Sequence, residues 1–68
     1  MEAKFITVTV LGLGNLKAIA IDNIASMEPY IINCTRIVLK EIKDGNNVEV
    51  LCTESFEMIG TKINSLMR

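Results

Sequence analysis

"VLGLGNLKAIAID", Val10 to Asp22, is the stretch whose reading decides the fold. Two glycines, an amide and a lysine between apolar runs open two possibilities: a phosphate-cradling loop or the turn of a hairpin. A phosphate fingerprint needs its glycines between a strand and a helix whose N-terminal amides meet the anion. Here Gly14 is followed by LKAIAID (Leu16 to Asp22), which alternates with period two and reads as a strand. The third glycine of the pattern is missing, and 68 residues make one domain, well short of a Rossmann or P-loop unit. The stretch is a hairpin turn.

Working outward, Lys4 to Leu11 (KFITVTVL) supplies the other strand. With Gly14-Asn15 at the centre of a type II′ turn, Val10 should face Ile19 and Val8 should face Ile21. Thr9 should then face Ala20, and Leu11 Ala18, so that large residues meet large and small meet small. Asp44-Gly45 is a type I′ signal between Thr35 to Ile42 (TRIVLKEI) and Val48 to Cys52 (VEVLC). That turn pairs Leu39 with Val50, Ile37 with Cys52, Val38 with Leu51, and Lys40 with Glu49.

Between the hairpins, residues 23–33 read as an irregular connection. Ile24 to Met27 could extend a strand after a bulge, and Pro29 excludes a central strand position. The chain after Thr53 reads as a helix, with Thr53 as N-cap and Glu54 and Glu57 in the first turn. Phe56, Ile59, Ile63 and Leu66 form its apolar stripe. Gly60 costs about 1 kcal/mol in a helix interior and reads as kept for close approach to the sheet.

The expected fold is α+β: a small antiparallel sheet of two hairpins, about four to five strands, with one C-terminal helix packed on one face. The single domain 1–68 divides into hairpin 4–22, connection 23–33, hairpin 34–52 and helix 54–67. One face carries Ile6, Val8, Val10, Ile19, Ile21, Ile37, Leu39, Val50 and Cys52 as the core. The other carries Phe5, Thr7, Thr9, Leu11, Ala18, Ala20, Arg36, Val38, Lys40 and Leu51. One helix cannot cover both, so the second face reads as an interface with another copy. Half of the residues are apolar, rich for so small a chain.

Seven basic and eight acidic residues show no basic stripe, which argues against a nucleic-acid polymer as partner. No secretory signal and no apolar run of membrane-spanning length is visible, so a cytoplasmic protein of a bacterium or a phage-infected host is expected. There is no histidine, which removes triads and most zinc sites. Cys34 and Cys52 lack metal-ligand spacing and fall on opposite strand faces, about three residues out of step, too far for a disulfide. No cofactor and no enzymatic activity are expected.

Thr35 to Ile63 (TRIVLKEIKDGNNVEVLCTESFEMIGTKI) resembles the C-terminal half of the FlbD-like small flagellar-regulator family. The shared pattern is a Thr-x-Ile-x-Leu strand, a glycine turn, a Val-rich strand, then Glu-Ser and a short amphipathic helix. Ile21 to Ile24 is similar to that family's middle strand, and the chain also resembles small proteins of phages and mobile elements. It departs at Gly14-Asn15, where Asn-Gly is usual, and in a longer connection from Met27 to Asn33. The resemblance implies a regulatory role through a protein partner and carries no catalytic residue.

The residues themselves point to a homo-oligomeric binding module that holds an anionic small ligand, such as a nucleotide signal, between subunits. A phage anti-defence sponge would work this way. Arg36 would grip a phosphate through two parallel hydrogen bonds, with Lys40 beside it. Tyr30 and Asn33 would stack on a base and bond its edge, over a floor of Thr7 and Thr9. The alternative is an FlbD-like regulatory protein that acts through a protein partner, flagellar or other, such as a host protein.

Overall fold

The computed structural model describes residues 3–67. The protein is α+β, as its patterning predicts. Five strands, β1 (Phe5–Thr9), β2 (Leu16–Ala20), β3 (Ile24–Pro29), β4 (Thr35–Lys43) and β5 (Asn46–Cys52), precede the helix α1 (Phe56–Leu66). They form a two-stranded sheet, β1-β2, and a three-stranded sheet in the order β3-β4-β5. All pairs are antiparallel.

The first hairpin keeps the expected faces but not the expected register. Ile6 pairs with Ile19 and Val8 with Lys17, so Val10–Ile19 and Val8–Ile21 do not form. Likewise Thr9 faces Leu16 rather than Ala20, while Ala18 faces Thr7 rather than Leu11. The difference is four residues, and an even slip leaves every side chain on its original face. Competition from β5 explains it. The chain leaves β2 after Thr9, where the Thr53 N–H donates to the Thr9 carbonyl and the Leu11 N–H donates to the Leu51 carbonyl. Val10 bridges to Cys52, so the two sheets meet at this corner. A wider loop results in place of a two-residue turn. It is closed by Val10 N–H to the Asn15 carbonyl and Gly14 N–H to the Val10 carbonyl, both 2.9 Å. Gly12 and Gly14 lie at φ 87° and 74°, where a Cβ would be strained.

The second hairpin has the expected turn. Asp44 and Gly45 both take positive φ, 54° and 81°, as type I′ requires. Next to it Lys43 pairs with Asn46 and Ile42 with Asn47, but a bulge then shifts the ladder. Beyond it Thr35 faces Cys52, Arg36 faces Leu51, Ile37 faces Val50 and Val38 faces Glu49, replacing all four pairs that an unbroken ladder implies. Two asparagines satisfy the backbone groups that this bulge frees. Asn47 Nδ2 donates to the Leu39 carbonyl at 2.8 Å, and the Glu41 N–H donates to Asn23 Oδ1 at 3.2 Å. Residues 23–33 are not wholly irregular, since β3 lies within them and Pro29 occupies an edge strand, where no ladder donor is lost.

The core lies between the two sheets instead of under a single one. Ile6, Val8 and Ile19 meet Ile37, Leu39, Val50, Cys52 and Ile59, all buried. Val10 and Ile21 are only half-buried. The helix packs against β3 and is tied to β1 by Lys62 Nζ donating to the Thr7 carbonyl, with Ile59 fully buried and Ile63 packed against the cluster. Phe56 and Leu66 remain exposed, so the apolar stripe that anchors the helix is shorter than expected. Ser55 is the N-cap, its hydroxyl accepting the Met58 N–H at 3.1 Å; Thr53 is drawn into the β1 corner instead. At the other end Lys4 Nζ donates to the Leu66 carbonyl at 2.6 Å, placing a cation where the helix dipole favours one. A Cβ on Gly60 would meet nothing within 4 Å, so this glycine serves no close approach.

Candidate functional site

β4 presents Thr35, Ile37 and Leu39 to the core and turns Arg36 outward. The guanidinium spans its sheet. Nε and Nη2 donate to the two carboxylate oxygens of Glu49 on β5, at 2.9 and 2.7 Å, and Nη1 donates to Glu28 on β3 at 2.7 Å. The hydrogen bond to Glu49 and then that residue's charge raise the Arg36 pKa against desolvation, and the charge and hydrogen bond of Glu28 add to the rise. The Glu49 carboxyl is lowered in turn, first by the Arg36 hydrogen bond. A phosphate reaching Arg36 would have to displace two carboxylates. Glu49 therefore has no role beside Lys40, which is exposed.

Thr9 is engaged as well. Its N–H and Oγ1 both donate to the Glu54 carboxylate, at 2.9 Å each, so this acid takes the β1 edge donor at the point where β5 turns away. The Glu54 carbonyl accepts from the buried hydroxyl of Thr35 at 2.8 Å, and Lys62 Nζ donates to the Thr7 carbonyl at 2.7 Å. Desolvation pushes the Glu54 pKa up. The two Thr9 donors, its own backbone amide and the Lys62 charge outweigh that and leave it below the ordinary value. The arrangement is a structural clamp that ties the two-stranded sheet to the helix start.

Tyr30 and Asn33 do share a site. Asn33 takes φ 60° in the tight β3–β4 loop, held by Tyr30 N–H to the Cys34 carbonyl and Cys34 N–H to the Ile31 carbonyl. The loop and the start of α1, including Ile31, Ile32 and Phe56, enclose a pocket of about 260 Å³. The six expected ligand residues are thus spread over three places: Arg36 and Lys40 outside the three-stranded sheet, Thr7 and Thr9 on the two-stranded one, Tyr30 and Asn33 on the loop.

The wider β1–β2 loop makes a feature that the sequence reading missed. Leu13 and Leu16 are 78% and 70% exposed. They border a groove of about 420 Å³ floored by Val10, Leu11, Val50 and Leu51 and rimmed by Lys17 and Glu49. The available signal was LGLGNL itself, three leucines in a turn where polar residues are usual.

Cys34 is half-buried and Cys52 buried, both as free thiols. Cys52 lies opposite Thr35, so the cysteines are one residue out of step rather than three. Burial and then the nearby Glu54 charge raise the Cys52 pKa, which keeps it a protonated core thiol. Among the described residues no group of His, Cys, Asp and Glu is placed to hold a metal ion, and no helix is long and apolar enough to cross a membrane. Comparison with protein-family models, curated proteins and solved structures finds no match for this chain.

Proposed function

We propose that the chain is a small non-enzymatic homo-oligomeric binding module whose contact surface is apolar. The observation that carries this reading is the pair Leu13 and Leu16, held in water beside an open groove by a loop that Gly12, Gly14 and the backbone bonds Val10 to Asn15 and Gly14 to Val10 define. Exposed aliphatics grouped around a concave surface mark interaction sites. Arg36, the anchor that a nucleotide would need, has its donors engaged by Glu49 and Glu28. Apolar protein surface, in the first place that of a second copy, fits this molecule better than an anionic small ligand.

Sedimentation velocity at micromolar concentration tests it. The expected result is a dimer or larger assembly that Leu13→Glu weakens, with no heat from cyclic or linear nucleotides in calorimetry. A monomer at all concentrations, or a nucleotide bound through Arg36, contradicts it.

A further inference from the structure

The hydrogen bonds at the two ends of the β1–β2 ladder fix which way each backbone group points. Val10 N–H donates to the Asn15 carbonyl and Ile21 N–H to the Lys4 carbonyl, so even residues of β1 bond odd residues of β2. In an antiparallel pair the alternate residues turn their N–H and C=O away from the partner. On β1 the outward groups toward the corner are used: Thr9 by Glu54 and Thr53, the Thr7 carbonyl by Lys62 and, just past the strand, the Leu11 N–H by Leu51. On β2 they belong to Leu16, Ala18 and Ala20; the Ala20 carbonyl caps the 3-10 turn Ile21–Asn23 and keeps its second lone pair, and no described residue takes the others. The strand contains no proline or bulge, and its one charge is Lys17. β3, the outer strand of the other sheet, has Pro29, a bulge between Ile24 and Ser26, and Glu28 held by Arg36. A proline, a bulge and a charge blunt an edge, and of these β2 has only the single Lys17.

We propose that β2 pairs antiparallel with β2 of a second copy, around a two-fold axis at Ala18, to make one continuous four-stranded sheet. This proposal rests on the self-association reading above and names its interface. The outward groups allow one centred register: Ala18 opposite the partner's Ala18, and Leu16 opposite the partner's Ala20. The side chains support it. On the outer face of the hairpin, Phe5 (54% exposed) sits across from Ala20, and Thr7 across from Ala18. Each exposed Leu16 therefore lands over a small Ala20 beside the exposed ring of Phe5, large into small, and the operation repeats on the other side of the axis. The Lys17 stem lies along the partner's Ile19 with its ammonium free in water. Self-complementarity of this kind is what an isologous interface requires.

Two variants test the register. Ala20→Pro removes an outward N–H and nothing else, because Ala20 already has φ −68° and no bond from that group within the monomer. It should weaken the dimer about tenfold or more while circular dichroism stays that of the wild type. Ala18→Cys, in a Cys34→Ser background, places two thiols on residues whose Cα atoms are about 5.5 Å apart across such a pair, inside the range for a disulfide. Mild oxidation should give a covalent dimer, and Lys40→Cys should not. A wild-type dimer that Ala20→Pro leaves intact and Ala18→Cys fails to cross-link overturns the interface alone. A wild-type monomer overturns the self-association reading with it.

Discussion

β2 and β3 are the outer strands of two sheets that share one core, and they end those sheets in opposite ways. β3 is ragged: a bulge, a proline and a glutamate tied inward across β4 leave little for another strand to copy. β2 is regular, with the exposed Leu16 followed on the same face by the small Ala18 and Ala20. Their sheets differ in the same sense. The three-stranded sheet has its own ladders on both sides of β4 and the Glu28–Arg36–Glu49 bridge over its outer face. The two-stranded sheet is too small to persist alone and depends on the core, the β5 corner and the Glu54 clamp. The open edge thus belongs to the part of the molecule that gains most from another strand.

The strongest way to break this comparison is to remove the packing that both sheets share. Ile59→Ala empties the fully buried anchor of α1 and should cost about 2–5 kcal/mol, read as a fall in urea midpoint. Both sheets should then loosen together. An unchanged midpoint would mean that the helix does not close the core.

Glu54→Ala should separate the sheets. It strands the Thr9 N–H and hydroxyl and is expected to cost about 1–3 kcal/mol. Amide exchange should quicken in β1 and β2 before β4 and β5. The same clamp has a pH signature. The folded Glu54 pKa is lowered, so its stabilisation is present above the ordinary value of 4.5 and is lost as pH falls through the folded value. Thermal scans from pH 6 to pH 3 should show a smaller decline for Glu54→Gln than for wild type.

Arg36→Ala sharpens the contrast from the other side. Its ion pairs are exposed, so global stability should change little. The smallest effect is a gain: Gly60→Ala should stabilise the helix by about 0.5–1 kcal/mol, since its Cβ meets open space. Destabilisation there would restore the close-approach reading.

Much of this was legible in the chain. Period-two alternation gave the strands and their faces, Asp44-Gly45 gave its turn, and the helix announced itself by Ile59 and Ile63. The registers were not legible, because partners distant in sequence set them. Thr53 and Leu51 pull β1 away from β2, and Asn47 and Asn23 hold the β4 bulge. Both shifts are even, which is why Ile6, Val8, Ile19, Ile37, Leu39, Val50 and Cys52 stay in the core despite two wrong ladders, while Val10 and Ile21 reach only its margin. The candidate site fared worse. Face assignment put Arg36 outside correctly, but the two carboxylates around it depend on the shifted register. Leu13 was hidden because a two-residue turn leaves no loop to expose it.

Residue-resolved amide exchange of the wild-type protein, at low and high micromolar concentration, tests the β2 edge most directly. Lys17 and Ile19 donate within the hairpin and should be protected at both concentrations. Leu16, Ala18 and Ala20 should exchange freely in dilute solution and become protected together as concentration rises, while β3 gains nothing. Fast exchange at those three amides in a concentrated, assembled sample would contradict the account, because no strand would then be bonded to β2.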